Sequence, residues 1–373
     1  MPRHDPAHRE PTPEPVAYGL LALCRAGFEN EVAGELQALA GRIGLDGFLR
    51  TRAGQAFVTF ECPHVIPWPE LAEACDWRSL VFARQLLPWF ARVDALPDRD
   101  RATPIVEAAR TAGMRFGSVV LETPDTDEAK QRSGFCRRFA GPLEEALAKA
   151  ALLRPRERGA PELHVLFTDA DTAWLSACRP GTAALWPMGV PRLRMPREAA
   201  SRSTLKLAEA FFTLLSEEER AATLRPGLRA VDLGAAPGGW SWQLAYRGLR
   251  VTAVDNGPMA PSVMATGLVE HVRGDGFTWR PRHAVDWMVC DMVEQPARIA
   301  ALVADWVGSG RCRHTIFNLK LPMKKRLEAL AQCKEIIHKR LARGGGYELR
   351  MKHLYHDREE ITGYLTLTTP KKA

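Results

Sequence analysis

At 373 residues, with 46% apolar and 25% charged side chains, the chain is long enough for two or three domains with real cores, and its composition excludes a disordered or fibrous protein. A formal net charge of +7 and a pI near 9.1 favour an anionic partner such as nucleic acid. No run approaches ~18 apolar residues, so no membrane span is expected; the eight cysteines form no CxxC pair and no zinc-type cluster with histidine, which fits a cytoplasmic protein with reduced thiols and no metal.

Residues 1–15 are polar and proline-rich and read as a disordered tail, without the apolar centre of a secretory signal. Over 16–95 the pattern predicts a small α+β domain of ferredoxin-like type. Its elements are a strand at Ala17–Cys24, an amphipathic helix at Phe28–Ala40, a strand at Gly54–Glu61, a helix beginning at Leu71–Ala74 and a strand at Leu80–Pro88. Over 96–180 a helix is expected at Thr103–Ala112, with Thr103 as cap and Pro104 in its first turn. A strand at Ser118–Glu122 follows, then a long helix at Asp127–Ala151 broken or bent near Gly141-Pro142. Leu163–Thr168 and Thr172–Arg179 read as an antiparallel pair. Lys130, Arg132, Arg137, Arg138, Lys149, Arg154, Arg156 and Arg158 crowd this region. Each by itself belongs on a solvated face, and together they suit a phosphate backbone. Residues 181–200 are rich in Gly, Pro and Arg, including Arg192, Arg194 and Arg197, and mark a linker.

From 201 to 373 strands and helices alternate, as in a mostly parallel sheet covered on both faces. A helix capped by Ser203 is expected at Ser203–Leu215, and others at Trp240–Tyr246, Ala297–Val307 and Lys324–Ala342. Strands are expected at Arg229–Leu233, Arg250–Val254, Val269–Arg273, Ala284–Cys290, His314–Leu319, Tyr347–Lys352 and Ile361–Leu367, the last two as a hairpin-like pair. The segment Ala230–Trp240, AVDLGAAPGGW, is strand, glycine turn and helix start: a cofactor cradle in which glycines let backbone approach a ligand and helix amides face it. It lacks the G-x-G-x-x-G of nicotinamide enzymes. Asp255 ends the next strand about twenty residues on, where an acid accepts from ribose hydroxyls. Asp275, Asp291 and Lys320 end the following strands at the same edge. Lys206 lies in the helix before the glycine turn. Two lysines and an aspartate converging are costly in a plain core, which favours a functional reading. An apolar setting and a nearby cation would make the neutral amine of Lys320 accessible.

The pattern Asp232-x-Gly-x-x-Pro-Gly-Gly resembles the first motif of S-adenosylmethionine methyltransferases of the ribose 2′-O type related to the FtsJ family. Lys206, Asp291 and Lys320 fit that type's Lys-Asp-Lys-Glu tetrad. The strings SRSTLKL, VDNGPM, VDWMVCDMVEQP, IFNLKLPMKKR and LYHDREE look like a bacterial family of large-subunit ribosomal RNA methyltransferases, which modify a cytidine ribose in 23S ribosomal RNA. The resemblance is strong from Ser201 to Ile361 and continues more weakly upstream, where element order and charge resemble the THUMP RNA-binding fold. It implies a seven-stranded Rossmann-like catalytic domain holding S-adenosylmethionine at Ser203, Ala236, Pro237, Gly238, Gly239, Asp255, Asp275 and Asp291. The fourth tetrad member is taken as Glu360, because the final strand starts there and the family's acid opens that strand; Glu359 and Glu348 are the alternatives. Lys320 is then the general base, Asp291 and the glutamate orient the lysines, and Lys206 steadies the oxyanion. Lys324, Lys325 and Arg326, with Arg311 and Arg313, are expected to hold phosphates beside this site. The implied substrate is 23S ribosomal RNA, naked or in a precursor subunit. Two competing classes remain. An NAD-dependent oxidoreductase would need a loop this chain lacks, and a non-catalytic RNA-binding protein with a vestigial cofactor fold would lack Lys320 or Asp291, both of which are present.

Overall fold

The computed structural model describes residues 14–155, 157–342 and 345–368, so most of the N-terminal tail, and Arg156, lie outside the described residues. The chain divides into two compact units, one taking the chain up to Trp77 with Phe82–Val190, the other Arg78–Val81 with Pro191–Ala373.

The elements of the first unit are β1 (Val16–Leu23), α1 (Glu29–Ile43), β2 (Phe48–Arg50), β3 (Phe57–Pro67), α2 (Trp68–Ala74), β4 (Gln85–Val93), α3 (Ala102–Arg110), β5 (Ser118–Glu122), α4 (Asp127–Lys149), β6 (Glu162–Phe167) and β7 (Ala173–Cys178). Its strands make one sheet in the order β2-β3-β1-β4-β7-β6-β5. Only β5–β6 is parallel among its pairs. The β4–β7 ladder therefore runs the sheet continuously across both predicted N-terminal regions. Leu21, Leu23, Leu87, Leu166 and Trp174 pack together in its core, and α1 buries Val32, Leu36, Leu39 and Ala40 at helical spacing.

The second unit contains α5 (Ser203–Leu214), α6 (Glu217–Thr223), β8 (Arg229–Leu233), α7 (Gly239–Ala245), β9 (Arg250–Val254), α8 (Pro261–Met264), β10 (Val269–Val272), β11 (Val285–Cys290), α9 (Pro296–Gly308), β12 (Cys312–Lys320), α10 (Arg326–Leu341), β13 (Tyr347–Lys352) and β14 (Glu360–Leu367). Strand order is β10-β9-β8-β11-β12-β14-β13. The five strands β10 through β12 are parallel, and β14 and β13 close the sheet antiparallel. Such a sheet is buried on both faces, which is why β11 carries Trp287, Met288, Val289 and Cys290 in an unbroken apolar run, all fully buried. Between β8 and β11 the chain order reverses, and a doubly wound sheet opens its ligand crevice at that point, outside the carboxyl ends.

Several local expectations are corrected. Leu80–Ala83 is not strand: the carbonyls of Leu80 and Val81 accept from Lys352 Nζ and His353 N, not from a ladder, and β4 starts only at Gln85. The helix α4 runs unbroken through Pro142. Gly141 and Pro142 face solvent there, so water can take up the carbonyl that proline leaves unpaired. Thr103 lies inside α3 and donates its N–H to Asp100 Oδ1 at 3.2 Å, so the aspartate does the capping. Ser203 does not cap α5; its hydroxyl bonds Ser201 Oγ at 2.7 Å. The capping box present is Ser216–Glu219 on α6, a helix the periodicity did not reveal.

Candidate active site

The strand β8 ends in the glycine turn, and Asp232, almost fully buried, anchors it by accepting from Ser241 Oγ at 2.7 Å. Burial pushes the Asp232 carboxyl up to about 7; the Ser241 hydrogen bond opposes this, and the charges of Asp291 and Asp255 add to it. Gly238 has φ of 110°, a conformation that favours glycine. A Cβ at Gly239 would lie 2.3 Å from Ser203 Oγ and 2.4 Å from Ser201 Oγ. The close approach this glycine permits in the structure is to the start of α5, reinforced by Thr204 Oγ1 donating to Gly239 O at 2.9 Å.

At the carboxyl edge Gly234, Ala236, Asp255, Asp275 and Asp291 line one cleft of about 420 Å³. Asp255 is held by two backbone amides, Ala236 N at 3.0 Å to Oδ2 and Gly257 N at 2.7 Å to Oδ1, which leaves each oxygen a lone pair for a ligand. Asp275 is exposed and caps its own turn through Phe277 N at 2.9 Å. Ser203, Pro237, Gly238 and Gly239 are not among the lining residues; they hold the turn, Pro237 O accepting from Ala260 N at 2.9 Å.

Next to this cleft four elements bring the tetrad residues together. Lys206 comes from α5, Asp291 follows β11, Lys320 ends β12 and Glu360 opens β14, directly opposite Lys320 in the ladder. Lys320 Nζ lies 2.6 Å from Asp291 Oδ1 and 3.8 Å from Glu360 Oε1. Lys206 Nζ lies 2.5 Å from Glu360 Oε1 and 3.4 Å from Asp291 Oδ2. Two cations thus face two carboxylates. Burial alone would raise both acids and lower Lys206. The opposite charges outweigh it: Asp291 and Glu360 titrate below the usual carboxylate range, and Lys206 above the usual lysine value, with Asp291, Asp357 and Glu360 as its charged neighbours. The lysines differ in access, 9% of the Lys206 side chain being exposed against 24% for Lys320. The immediate surroundings of Lys320 are these carboxylates, in place of the charge-disfavouring setting expected from its flanking apolar run. Of the three candidate glutamates, Glu360 is the one that reaches the lysines. Glu359 pairs with Arg326 at 2.7 Å and Glu348 with Arg350 at 2.6 Å.

Behind the tetrad runs a chain of hydrogen bonds that sequence reasoning missed. Asn318 Nδ2 donates to Asp291 Oδ1 at 2.8 Å, and Thr362 Oγ1 lies 2.7 Å from Asn318 Oδ1. The same hydroxyl lies 2.9 Å and 3.1 Å from the two oxygens of the fully buried Asp357. One hydroxyl proton serves one acceptor, so the consistent assignment has protonated Asp357 donating to Thr362, Thr362 to Asn318 and Asn318 to Asp291. Burial pushes the Asp357 carboxyl well above its usual range, with the Lys206 charge opposing and Glu360 adding, in agreement with that direction. Glu209, one turn beyond Lys206, fixes the turn before Glu360 by accepting from Tyr355 N, His356 N and His356 Nδ1 at 2.6–2.9 Å. The signal in sequence was the two-residue spacing Asn318–Lys320, which puts both side chains on one face of β12.

The expected phosphate-holding residues separate. Lys324, Lys325 and Arg326 follow β12 at the tetrad edge, whereas Arg311 and Arg313 stand at the start of that nine-residue strand, about 25 Å from Lys320, and are not beside the site.

A doubly wound seven-stranded sheet with an acid-lined cleft beside the glycine turn defines the class: residues 199–343 match the FtsJ-like methyltransferase family. Residues 18–87 match the RlmM ferredoxin-like domain and residues 100–178 the N-terminal region of ribosomal RNA large subunit methyltransferase M. The chain belongs to the ribosomal RNA large subunit methyltransferase M family. It is 74% identical to the member from Aromatoleum aromaticum over 94% of this chain and 95% of that protein. It is 65% identical to the member from Thauera aminoaromatica and 49% identical to that from Xanthomonas campestris, over 94% and 92% of this chain and 96% and 98% of theirs.

Proposed function

We propose that this protein is an S-adenosylmethionine-dependent ribosomal RNA methyltransferase that methylates the ribose 2′-hydroxyl of a cytidine in 23S ribosomal RNA. Family membership supports the reaction class and the ribosomal RNA substrate. The observation that carries the ribose chemistry is Asp291, which both lines the cleft and bonds Lys320 at 2.6 Å. The cleft suits the cofactor: of its four carboxylates, Asp255, Asp275, Asp291 and Glu294, the three aspartates at the strand ends offer acceptors for hydroxyl and amino groups, and together they make a counter-field for a cation. Bound S-adenosylmethionine supplies an already electrophilic methyl group.

In this reading Lys320, the more exposed of the two lysines, is the general base: as the free amine it takes the proton of the ribose 2′-hydroxyl. Lys206 keeps its proton against Glu360 and stabilises the oxygen as its negative charge grows. Asp291 and Glu360 hold both amines in position, and Asp291 is itself aimed by Asn318. We read residues 96–180 as a THUMP-type RNA-contacting region following a ferredoxin-like domain at 16–95, and the setting as the cytoplasm; among the described residues no helix is long and apolar enough to cross a membrane.

The test is transfer of labelled methyl to 23S ribosomal RNA, with the modified nucleotide mapped by resistance of its 3′ linkage to alkaline cleavage. Lys320→Ala is expected to lose about 10³-fold in kcat, the range of a general base, while cofactor affinity stays within twofold. A variant that retains full activity would refute the base assignment.

A further inference from the structure

The tetrad uses the carboxyl edge of the methyltransferase sheet; its amino edge, about 25 Å away along β12, carries a second charged surface. A groove of about 970 Å³ opens there where β8, β9 and β10 begin and the segment 279–283 crosses toward β11. Arg229, Arg250, Arg280 and Arg282 line it, against the single carboxylate Glu270. A second groove of about 460 Å³ shares Arg280 and adds Arg311 and Arg340, with Asp305. From β9 to β12 this makes a band about 14 Å wide, three strand spacings. Local bonding orients the arginines without neutralising most of them. Arg229 Nη2 donates to Ala284 O at 2.8 Å, Arg280 Nη1 to Phe277 O at 2.8 Å, and Arg311 Nη1 to Ser309 Oγ at 2.8 Å, all uncharged acceptors. Arg340 alone of the six has a carboxylate partner, Asp305, among the contacts of the described residues. Each guanidinium has five N–H donors, so donors remain to face outward. Singly such surface charges are solvated by water; a row of them left positive attracts a polyanion.

We propose that this band binds the phosphate backbone of a second segment of the ribosomal RNA substrate, distinct from the segment that delivers the target ribose to Lys320. The inference rests on the RNA-methylating reading above and adds to it that the enzyme grips a folded, multi-segment RNA. The band contains no tetrad or cleft residue, so its loss changes capture of RNA and leaves the chemical step intact.

The experiment uses the full chain carrying Arg250→Glu with Arg282→Glu, and Arg250→Gln with Arg282→Gln as the milder pair. A domain-length 23S ribosomal RNA transcript is the probe, in filter binding and in methyl transfer across a salt series. Expected results are a KM and RNA Kd raised at least tenfold, a slope of log Kd against log salt reduced by one to two, since each phosphate contact contributes about 0.7–0.9, and unchanged kcat and cofactor-induced thermal shift. The Gln pair should fall between wild type and the Glu pair. Unchanged Kd and salt slope in a folded Glu pair overturn the proposal, as does a fall in kcat without a change in Kd. If wild type binds the transcript and transfers no methyl, the methylation reading fails while the binding comparison still decides this one.

Discussion

Asp357 shows how much of the site depends on a group that never touches substrate. Burial and the nearby Glu360 push its carboxyl well above the usual range, and the acid form is the one that completes the donor sequence toward Asp291. An amide at this position also donates, so Asp357→Asn should keep kcat within about threefold of wild type. Thr362→Val removes the link between Asp357 and Asn318 and, by loosening the aim of Asp291, should lower kcat about tenfold, the size of one lost hydrogen bond. Steady-state methyl transfer with both variants checks this; an Asp357→Asn enzyme as impaired as Asp357→Leu would show that the carboxylate must be ionised. Single residues were unevenly legible. Lys206, Asp291 and Lys320 stand out because a charged residue at the end of an apolar strand, or on a buried helix face, is conspicuous. Asn318, Thr362 and Asp357 do not, because a polar residue inside a strand or turn looks the same whether it faces solvent or a buried partner.

The glycine turn and α5 work as one element. Gly239 has room for no side chain because Ser201 and Ser203 occupy its Cβ position. Gly239→Ala should therefore push α5, which carries Lys206, away from the turn. Overpacking of this kind costs about 1–3 kcal/mol, so a thermal midpoint lowered by several degrees is expected, together with a weaker stabilisation by added S-adenosylmethionine. Combining Gly239→Ala with Ser201→Gly and Ser203→Gly should recover much of the loss. No recovery in that combined variant would show that the strain lies elsewhere. Element boundaries were legible where periodicity spoke, as in β5, β8, β9 and β13, whose observed spans equal the expected ones. They were not where a chemical partner distant in sequence decided the outcome, as with the carbonyls of Leu80 and Val81.

On the scale of the whole molecule, the first unit carries its own titrating device. His164 Nδ1 lies 2.8 Å from Glu122 Oε2, and its other nitrogen 3.9 Å from Glu162 Oε2, in a fully buried setting. Burial disfavours the charge, but the carboxylates, Glu122 foremost, outweigh it and hold the imidazole well above its usual value. A raised folded value means the pair's contribution to stability is complete below about pH 6.5, the unfolded value, and is lost as pH rises through the folded one. Hydrogen exchange in β6 and β7 should accordingly be less protected at high pH than at pH 6, after correction for intrinsic rates, and His164→Gln should flatten that dependence. Equal protection of wild type at both pH values would show that the histidine is not charged in the fold.

What the chain's linear pattern determined was whatever repeats along it: strands buried on both faces read as continuous apolar runs, helices as amphipathic spacing, and the glycine turn with Asp255, Asp275, Asp291 and Lys320 as punctuation after strands. From these a mostly parallel, doubly covered sheet with a ligand edge follows; the seven-stranded methyltransferase sheet and its class of chemistry came from the resemblance that the motif around Asp232–Gly239 and the Lys206, Asp291 and Lys320 positions carry. What only the tertiary structure decided is what depends on juxtaposition across the sheet. The Lys320–Glu360 register selects Glu360 among three glutamates as the one in reach of both lysines, because antiparallel pairing sets two residues forty positions apart face to face. The same geometry moves Arg311 from the neighbourhood of the tetrad to the opposite edge, since the two ends of one strand lie about 25 Å apart however close they are in sequence.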